Sequence, residues 1–347
     1  IFELILEYTY IISHTDNLMK IYFTILYCLY GGIIITHNRY RSPIIAFLSC
    51  SALLLYLLLM PKSVSASVIN SVNSCLYGVI PSLFCFMVLS KLITNSGVAY
   101  IISKPFGKIF SKLTGLPGIG FSVYMFSFLS GYTSGVIASA ELYKSGVISK
   151  NDAERLCAIS NNTGPALPVI LIGARMFNDA WLGVTVYIIQ ILSSITACLV
   201  FRNKSTAVRE DVYSNSYTKS LLTAITESLE GGIKATAIMC GYIIIFNVLG
   251  DAISNICNNS LVFSAIRPFI EIVSGSAGLT EFPHTISTLI LSCAVTFGGV
   301  CVHMQAASVM SSYNLSVKAH LWFKVTQSLL SFVFSCVVVL LFQSGLF

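Results

Sequence analysis

The chain has 347 residues, of which 55% are hydrophobic and only 10% charged, with a formal net charge of +6. Soluble domains average about 25% charged residues, so a globular protein of this size would be short of polar surface, and the composition argues against a soluble enzyme. The mean hydropathy of +0.82 is spread through repeated apolar stretches of membrane-spanning length, more than one anchor or a signal peptide supplies. The short alternating strands of a transmembrane barrel are missing. The composition therefore predicts an all-α polytopic membrane protein.

Apolar spans at 21–36 and 43–60 fill a first unit, 1–67. The first residue is Ile1, so a preceding segment is expected. A second unit, 68–201, contains spans at 74–95 and 181–201, and between them two apolar stretches, 118–142 and 155–175, interrupted by Gly, Pro, Ser, Thr and Asn. A polar linker, 202–220, carries Arg202, Lys204, Arg209 and Lys219 and is expected in the cytoplasm. The last unit, 221–347, has spans at 235–250 and 321–342 and a broken stretch at 284–312.

Charge bias orients these spans. With 118–142 turning back as a re-entrant hairpin, fourteen of the 20 Lys and Arg fall on or near the cytoplasmic side. Lys20, Lys62, Arg175, Arg267, Lys318 and Lys324 are then expected outside, in accord with the positive-inside rule. The basic residues form no stripe interleaved with aromatics, so no nucleic-acid partner is expected. The eleven cysteines form no CxxC pair, and most, such as Cys50, Cys85, Cys198 and Cys336, sit in apolar runs. They read as small buried residues rather than metal ligands or disulfides. No cofactor is implied. No P-loop, HExxH or GxSxG occurs, and no nucleophile and base stand at credible spacing, so neither an ATP-driven pump nor an enzyme is expected.

The two larger units repeat. Lys104-Pro105-Phe106-Gly107-Lys108-Ile109-Phe110-Ser111-Lys112-Leu113-Thr114-Gly115-Leu116 aligns without a gap on Arg267-Pro268-Phe269-Ile270-Glu271-Ile272-Val273-Ser274-Gly275-Ser276-Ala277-Gly278-Leu279. Ser130-Gly131 precedes Lys150 by the same nineteen residues that separate Gly298-Gly299 from Lys318. In this threading 74–95 runs inward and 235–250 outward. Inverted repeats with broken helices in matching positions point to a transporter site near the bilayer midplane.

Three breaks carry the candidate chemistry. In the first, Ser130-Gly131-Tyr132-Thr133-Ser134-Gly135, small and hydroxylated residues let the backbone leave helical geometry, and the half-helix that follows offers unpaired N–H groups suited to an anion. Close helix packing through small residues is the competing reading. The second, Asn161-Asn162-Thr163-Gly164-Pro165, supplies amide and hydroxyl partners and a helix-breaking proline, and competes with a capped helix end. The third, Gly298-Gly299-Val300-Cys301-Val302-His303-Met304-Gln305, occupies the matching position in the second repeat, with His303 and Gln305 as its polar groups. Ser149 and Asp152 form a cap-like start to a helix.

In order and spacing, these three motifs resemble the sporulation integral membrane protein YlbJ family, also called SpoVV, over about residues 70–345. The resemblance implies a Gate, or nucleoside-recognition, domain related to concentrative nucleoside transporters. It also implies a role in endospore formation, moving dipicolinic acid (pyridine-2,6-dicarboxylate) across the outer forespore membrane. Thr133 stands where the family pattern SGYPxG has proline, and Cys301 where serine is expected. The expected partners are a small anionic solute or a nucleoside and the lipid bilayer, with a homo-oligomer left open. A spore-envelope assembly or sensor protein without transport is the third reading.

Overall fold

The computed structural model describes residues 51, 53–95, 98–203, 221–254 and 260–343. The expected span 21–36, the first half of 43–60 and the linker beyond Asn203 lie outside the described residues. Helix α1 (Pro61–Ser74) starts on a proline, whose missing N–H costs no helical bond in the first turn. A π-helical turn, Cys75–Val79, leads directly into α2 (Ile80–Asn95). The wider turn stands just before Pro81, where a regular helix would drive the ring into the carbonyl four residues back.

Next come α3 (Val98–Thr114), α4 (Gly120–Ser130), α5 (Ser134–Lys144) and α6 (Lys150–Ile159). Ser149 caps α6, its Oγ accepting from the Asp152 N–H at 3.2 Å. The chain is then unwound until Pro165, continues as a π-helical segment, Ala166–Met176, that contains Pro168, and enters α7 (Ala180–Val200). Asp179 caps α7 through the Trp181 and Leu182 N–H groups. The second half has α8 (Leu221–Ser254), α9 (Ser260–Ile270), a single turn α10 (Ile272–Gly275), a 3₁₀ segment Ser276–Glu281, α11 (His284–Phe297), α12 (Gly299–Ser312) and α13 (Lys318–Gln343).

No strand occurs among the described residues. Five segments among the described residues are long and apolar enough to cross a membrane: Pro61–Leu89, Ala180–Val200, Leu221–Ser254, His284–Ser312 and Lys318–Phe342. Their outward faces carry exposed large apolar residues such as Ile188, Leu192, Ile233, Leu329 and Leu340. Water would penalise such a surface, whereas hydrocarbon accepts it. The expected all-α polytopic class is what the chain adopts.

Side-chain contacts define two ends of the bundle. At one end, Phe110, Leu116, Leu142, Val147, Leu156, Met310 and Leu315 share an apolar cluster. Arg155 joins this end by donating to the Thr114 and Asn203 carbonyls at 2.9 and 3.1 Å. At the other end, His284 lies 3.7 Å from Asp179, and Ser67 and Arg267 both contact the Asp251 carboxylate. Helices α2 and α8 run antiparallel between the ends, since Lys91 abuts Gly231 while Thr236 meets Met87.

The first broken stretch turns back. Gly120, at the start of α4, packs on Phe110 and Leu156, while Gly164 touches the Leu129 carbonyl farther along. Helix α5 then descends again from Gly135, beside Ser160, to Leu142 in the cluster where α4 began. This is the hairpin anticipated for 118–142. The second broken stretch differs: α11 starts at the Asp179 end and α12 finishes at Met310 in the opposite cluster, so 284–312 crosses as one broken helix.

Two threading expectations are therefore corrected. Lys318 belongs to the same end as Lys144 and Lys150, because the Ser316 N–H donates to Glu154 at 2.8 Å and Lys144 lies over the Tyr313 ring. Lys324, assigned outside as a topology charge, is fully buried in the bundle. Both errors follow from giving the second break the shape of the first. Gly299 instead packs against the Pro268 and Ile270 carbonyls, and that contact directs α12 onward rather than back.

Candidate functional site

The three breaks meet in the interior. Gly131 has φ +89° and Thr133 φ +65°, which turns the chain from α4 into α5 within three residues. A β-branched residue seldom adopts the left-handed region, and Thr133 is held there from outside. Its N–H donates to Asn161 Oδ1 at 3.0 Å, joining the first break to the second. Tyr132 donates its hydroxyl to the Val295 carbonyl near the end of α11, joining the first break to the third. Hydrogen bonds thus link the breaks of both halves.

Ser130, Gly131, Tyr132, Thr163 and Gln305 line a common cavity of about 30 Å³, together with Cys301, Glu271 and apolar residues of α2 and α8. That volume admits about one or two waters. Gln305 Nε2 donates to Cys301 Sγ at 3.5 Å. Eight expected residues do not line the cavity: Thr133, Asn161, Asn162 and His303 lie behind its wall, and the other four serve the backbone or packing. Ser134 bonds back to the Gly131 carbonyl at 2.6 Å. A Cβ on Gly135 would come within 2.0 Å of the Ser160 carbonyl, so its smallness serves helix packing. Gly298 (φ +93°) ends α11 beside the Tyr132 ring, and Gly299 (φ +74°) is the packing residue noted above.

Behind the cavity wall lies a continuous polar network. Asn161, Asn162 and Thr163, in the unwound stretch after α6, are 0%, 0% and 1% exposed. Buried polar groups at membrane depth must find partners within the protein. Asn162 Nδ2 donates to the Ile159 carbonyl at 2.7 Å and to Ser127 Oγ at 3.2 Å. Gln190, from α7, donates to the Thr163 carbonyl at 3.1 Å. Asn161 Nδ2 lies 3.4 Å from His320 Nε2, which is 3.1 Å from His303 Nδ1. The His303 ring also packs edge-on against Phe297, with centroids 4.4 Å apart.

Five residues of this assembly escaped the sequence reading: Gln190, Glu271, His320, Lys324 and Gln327. Lys324 Nζ donates to Gln327 Oε1 at 2.8 Å, Asn162 Oδ1 at 3.3 Å and the Thr296 carbonyl at 3.4 Å. Gln327 Nε2 bonds Asn162 Oδ1 at 3.2 Å. A signal was present, because His320, Lys324, Gln327, Ser331 and Ser335 recur at three- and four-residue steps along one face of α13, and all are buried. An apolar average over 321–342 hides that stripe.

Glu271 stands just beyond the C-terminal end of α9, outside the five spans, and is 2% exposed. Its two carboxylate oxygens accept from the Val273 and Ser274 N–H groups at 2.9 and 2.7 Å, which starts α10. Burial pushes its carboxyl above the usual range, opposed by hydrogen bonds from Ser274 and Val273 and by the Arg267 charge. No group of three or more His, Cys, Asp or Glu able to hold a metal ion occurs among the described residues.

The chain is 22% identical over 296 residues to the sporulation integral membrane protein YlbJ of Bacillus subtilis (strain 168), covering 74% of this chain and 72% of that protein. No family model and no solved structure matches it. The aligned region is long enough to take in both broken stretches, and the apolar helices account for residence in a bilayer. The chain is a multi-pass integral membrane protein that is similar in sequence to the sporulation integral membrane protein YlbJ.

Proposed function

We propose that the chain is a transporter for dipicolinate, or a small aromatic carboxylate like it, acting across the outer forespore membrane during endospore formation. The observation that carries this reading is the convergence of the breaks of both halves on one cavity, lined by Ser130, Gly131, Tyr132, Thr163 and Gln305. The repeats would be inverted and Gate-like, as the antiparallel α2 and α8 favour. A dianion leaves water only if its charge is hydrogen-bonded or paired again. The first-turn N–H groups of α5 and α12 have no intrahelical acceptor, and hydroxyl and amide side chains stand beside them.

Sites that hold small molecules usually enclose about 300–1,000 Å³, ten times this cavity or more. The form described is thus one without room for cargo, and transport requires the α4–α5 hairpin and the broken α11–α12 helix to separate. Alternating exposure by movement of one repeat against the other supplies such a step. In a sporulating strain lacking the gene, the wild-type chain should restore spore dipicolinate, and a chain with Gly131, Asn162 and His303 replaced together should not. Normal spore dipicolinate in the deletion strain itself would refute the assignment of cargo.

A second reading, an uncharged solute such as a nucleoside carried with a cation, is favoured by Glu271 on the cavity wall. Labelled uridine entering proteoliposomes where dipicolinate does not would select it.

A further inference from the structure

Lys324 is a buried amine with no carboxylate beside it among the described residues. It is 0% exposed, and its three acceptors, Gln327 Oε1, Asn162 Oδ1 and the Thr296 carbonyl, are all neutral oxygens. The nearest charge of opposite sign by contact would be a carboxylate, and no ion pair to Lys324 occurs among the described residues. The Thr296 carbonyl belongs to the last turn of α11, where the helix dipole is negative and helps a cation. That partial charge favours the protonated amine without neutralising it. An ionisable group inside a membrane protein is costly to charge, which makes it a candidate for the path of a substrate or ion.

The placement indicates which. Two of the three contacts are long, at 3.3 and 3.4 Å, and one of these is to Asn162. Asn162 stands in the unwound stretch, next to Thr163 on the cavity wall. Withdrawal of the Asn162 oxygen would free one hydrogen-bonding position of the amine on the side of Thr163 and the cavity wall. Gln327 and Gln190, already tied to Asn162 and to the Thr163 backbone, supply amides around the same point.

We propose that Lys324 is the charge-recognising residue of the transport site, pairing directly with a carboxylate of the cargo when the Asn162 stretch moves, so that the site selects organic anions over neutral solutes. This rests on the transport reading above, and names the group that decides its substrate class.

Two readouts separate the two claims. In detergent, picolinate and benzoate should raise the melting temperature of the wild-type protein and leave K324Q unmoved, while K324R keeps part of the effect. In proteoliposomes, K324Q should lose roughly thirtyfold or more of the dipicolinate uptake, the cost of removing one partner of a buried charge pair. Uptake of the uncharged pyridine-2,6-dicarboxamide should not fall. K324M is judged by its own melting temperature, because removing the amine leaves the Gln327, Asn162 and Thr296 acceptors with one donor fewer, and uptake is compared only among variants that melt as cooperatively as wild type. Carboxylates that shift wild type and K324Q alike, or shift neither, overturn the role of Lys324. Carboxylate binding that depends on Lys324, with no uptake by wild type, refutes the transport reading and leaves the role standing.

Discussion

Replacing Thr133 by proline tests the geometry of the first break. Thr133 sits at φ +65° and its N–H donates to Asn161 Oδ1, in an environment where Asn161 is 0% exposed. Proline lacks that N–H and fixes φ near −65°, on the opposite side of the map. The orphaned buried amide oxygen costs about 1–3 kcal/mol. Rebuilding the turn around a residue that cannot enter the left-handed region adds about 1–3 kcal/mol more. A total of about 2–6 kcal/mol is a large share of the 5–15 kcal/mol that typically separates native from unfolded proteins. Glycine at the same position should lie between no change and about 1 kcal/mol more stable, because relief of left-handed strain is offset by added chain entropy. Thermal denaturation of both variants in one detergent gives the order: glycine at or above wild type, proline well below. A proline variant as stable as wild type, with transport intact, would mean that the turn and its bond to Asn161 are not as described.

Alanine at Gly135 should cost about 3 kcal/mol or more, because its Cβ would lie 2.0 Å from the Ser160 carbonyl; normal expression and melting of the variant would count against the α5–α6 contact. Cysteines placed at Lys150 and Lys318, on a background without native cysteines, should be modified from the same side by a membrane-impermeant reagent. Modification of the two from opposite sides would restore the hairpin form of the second break. With the Glu271 carboxyl raised by burial, acidification neutralises it before ordinary carboxylates, so entry of an anion past the cavity wall should quicken as pH falls from neutral. The E271Q variant should lose that dependence, and an unchanged pH profile would remove Glu271 from the pathway.

Hydropathy made the spans 74–95, 181–201, 235–250 and 321–342 legible, because lipid leaves little choice of backbone structure to an apolar segment of that length. The breaks at Gly131, Asn161–Pro165 and Gly298 were legible from residues that cannot continue a helix or that offer polar side chains at depth. What the breaks do next was not. The direction taken after Gly299 depends on the Pro268 and Ile270 carbonyls, a contact between parts of the chain about thirty residues apart. Lys324 was misplaced for a related reason: a charge near the start of an apolar run looks like a loop residue until the face it shares with His320 and Gln327 is traced. Glu271 was passed over because its aligned partner in the first repeat, Lys108, has the character of a surface residue.

The most direct test of a transport function is uptake of dipicolinate by proteoliposomes containing the purified chain, followed with time against protein-free vesicles. Saturable uptake that is absent from empty vesicles and competed by related aromatic carboxylates is the result expected. Uptake no faster than leakage in vesicles whose protein is shown to be folded would contradict the account.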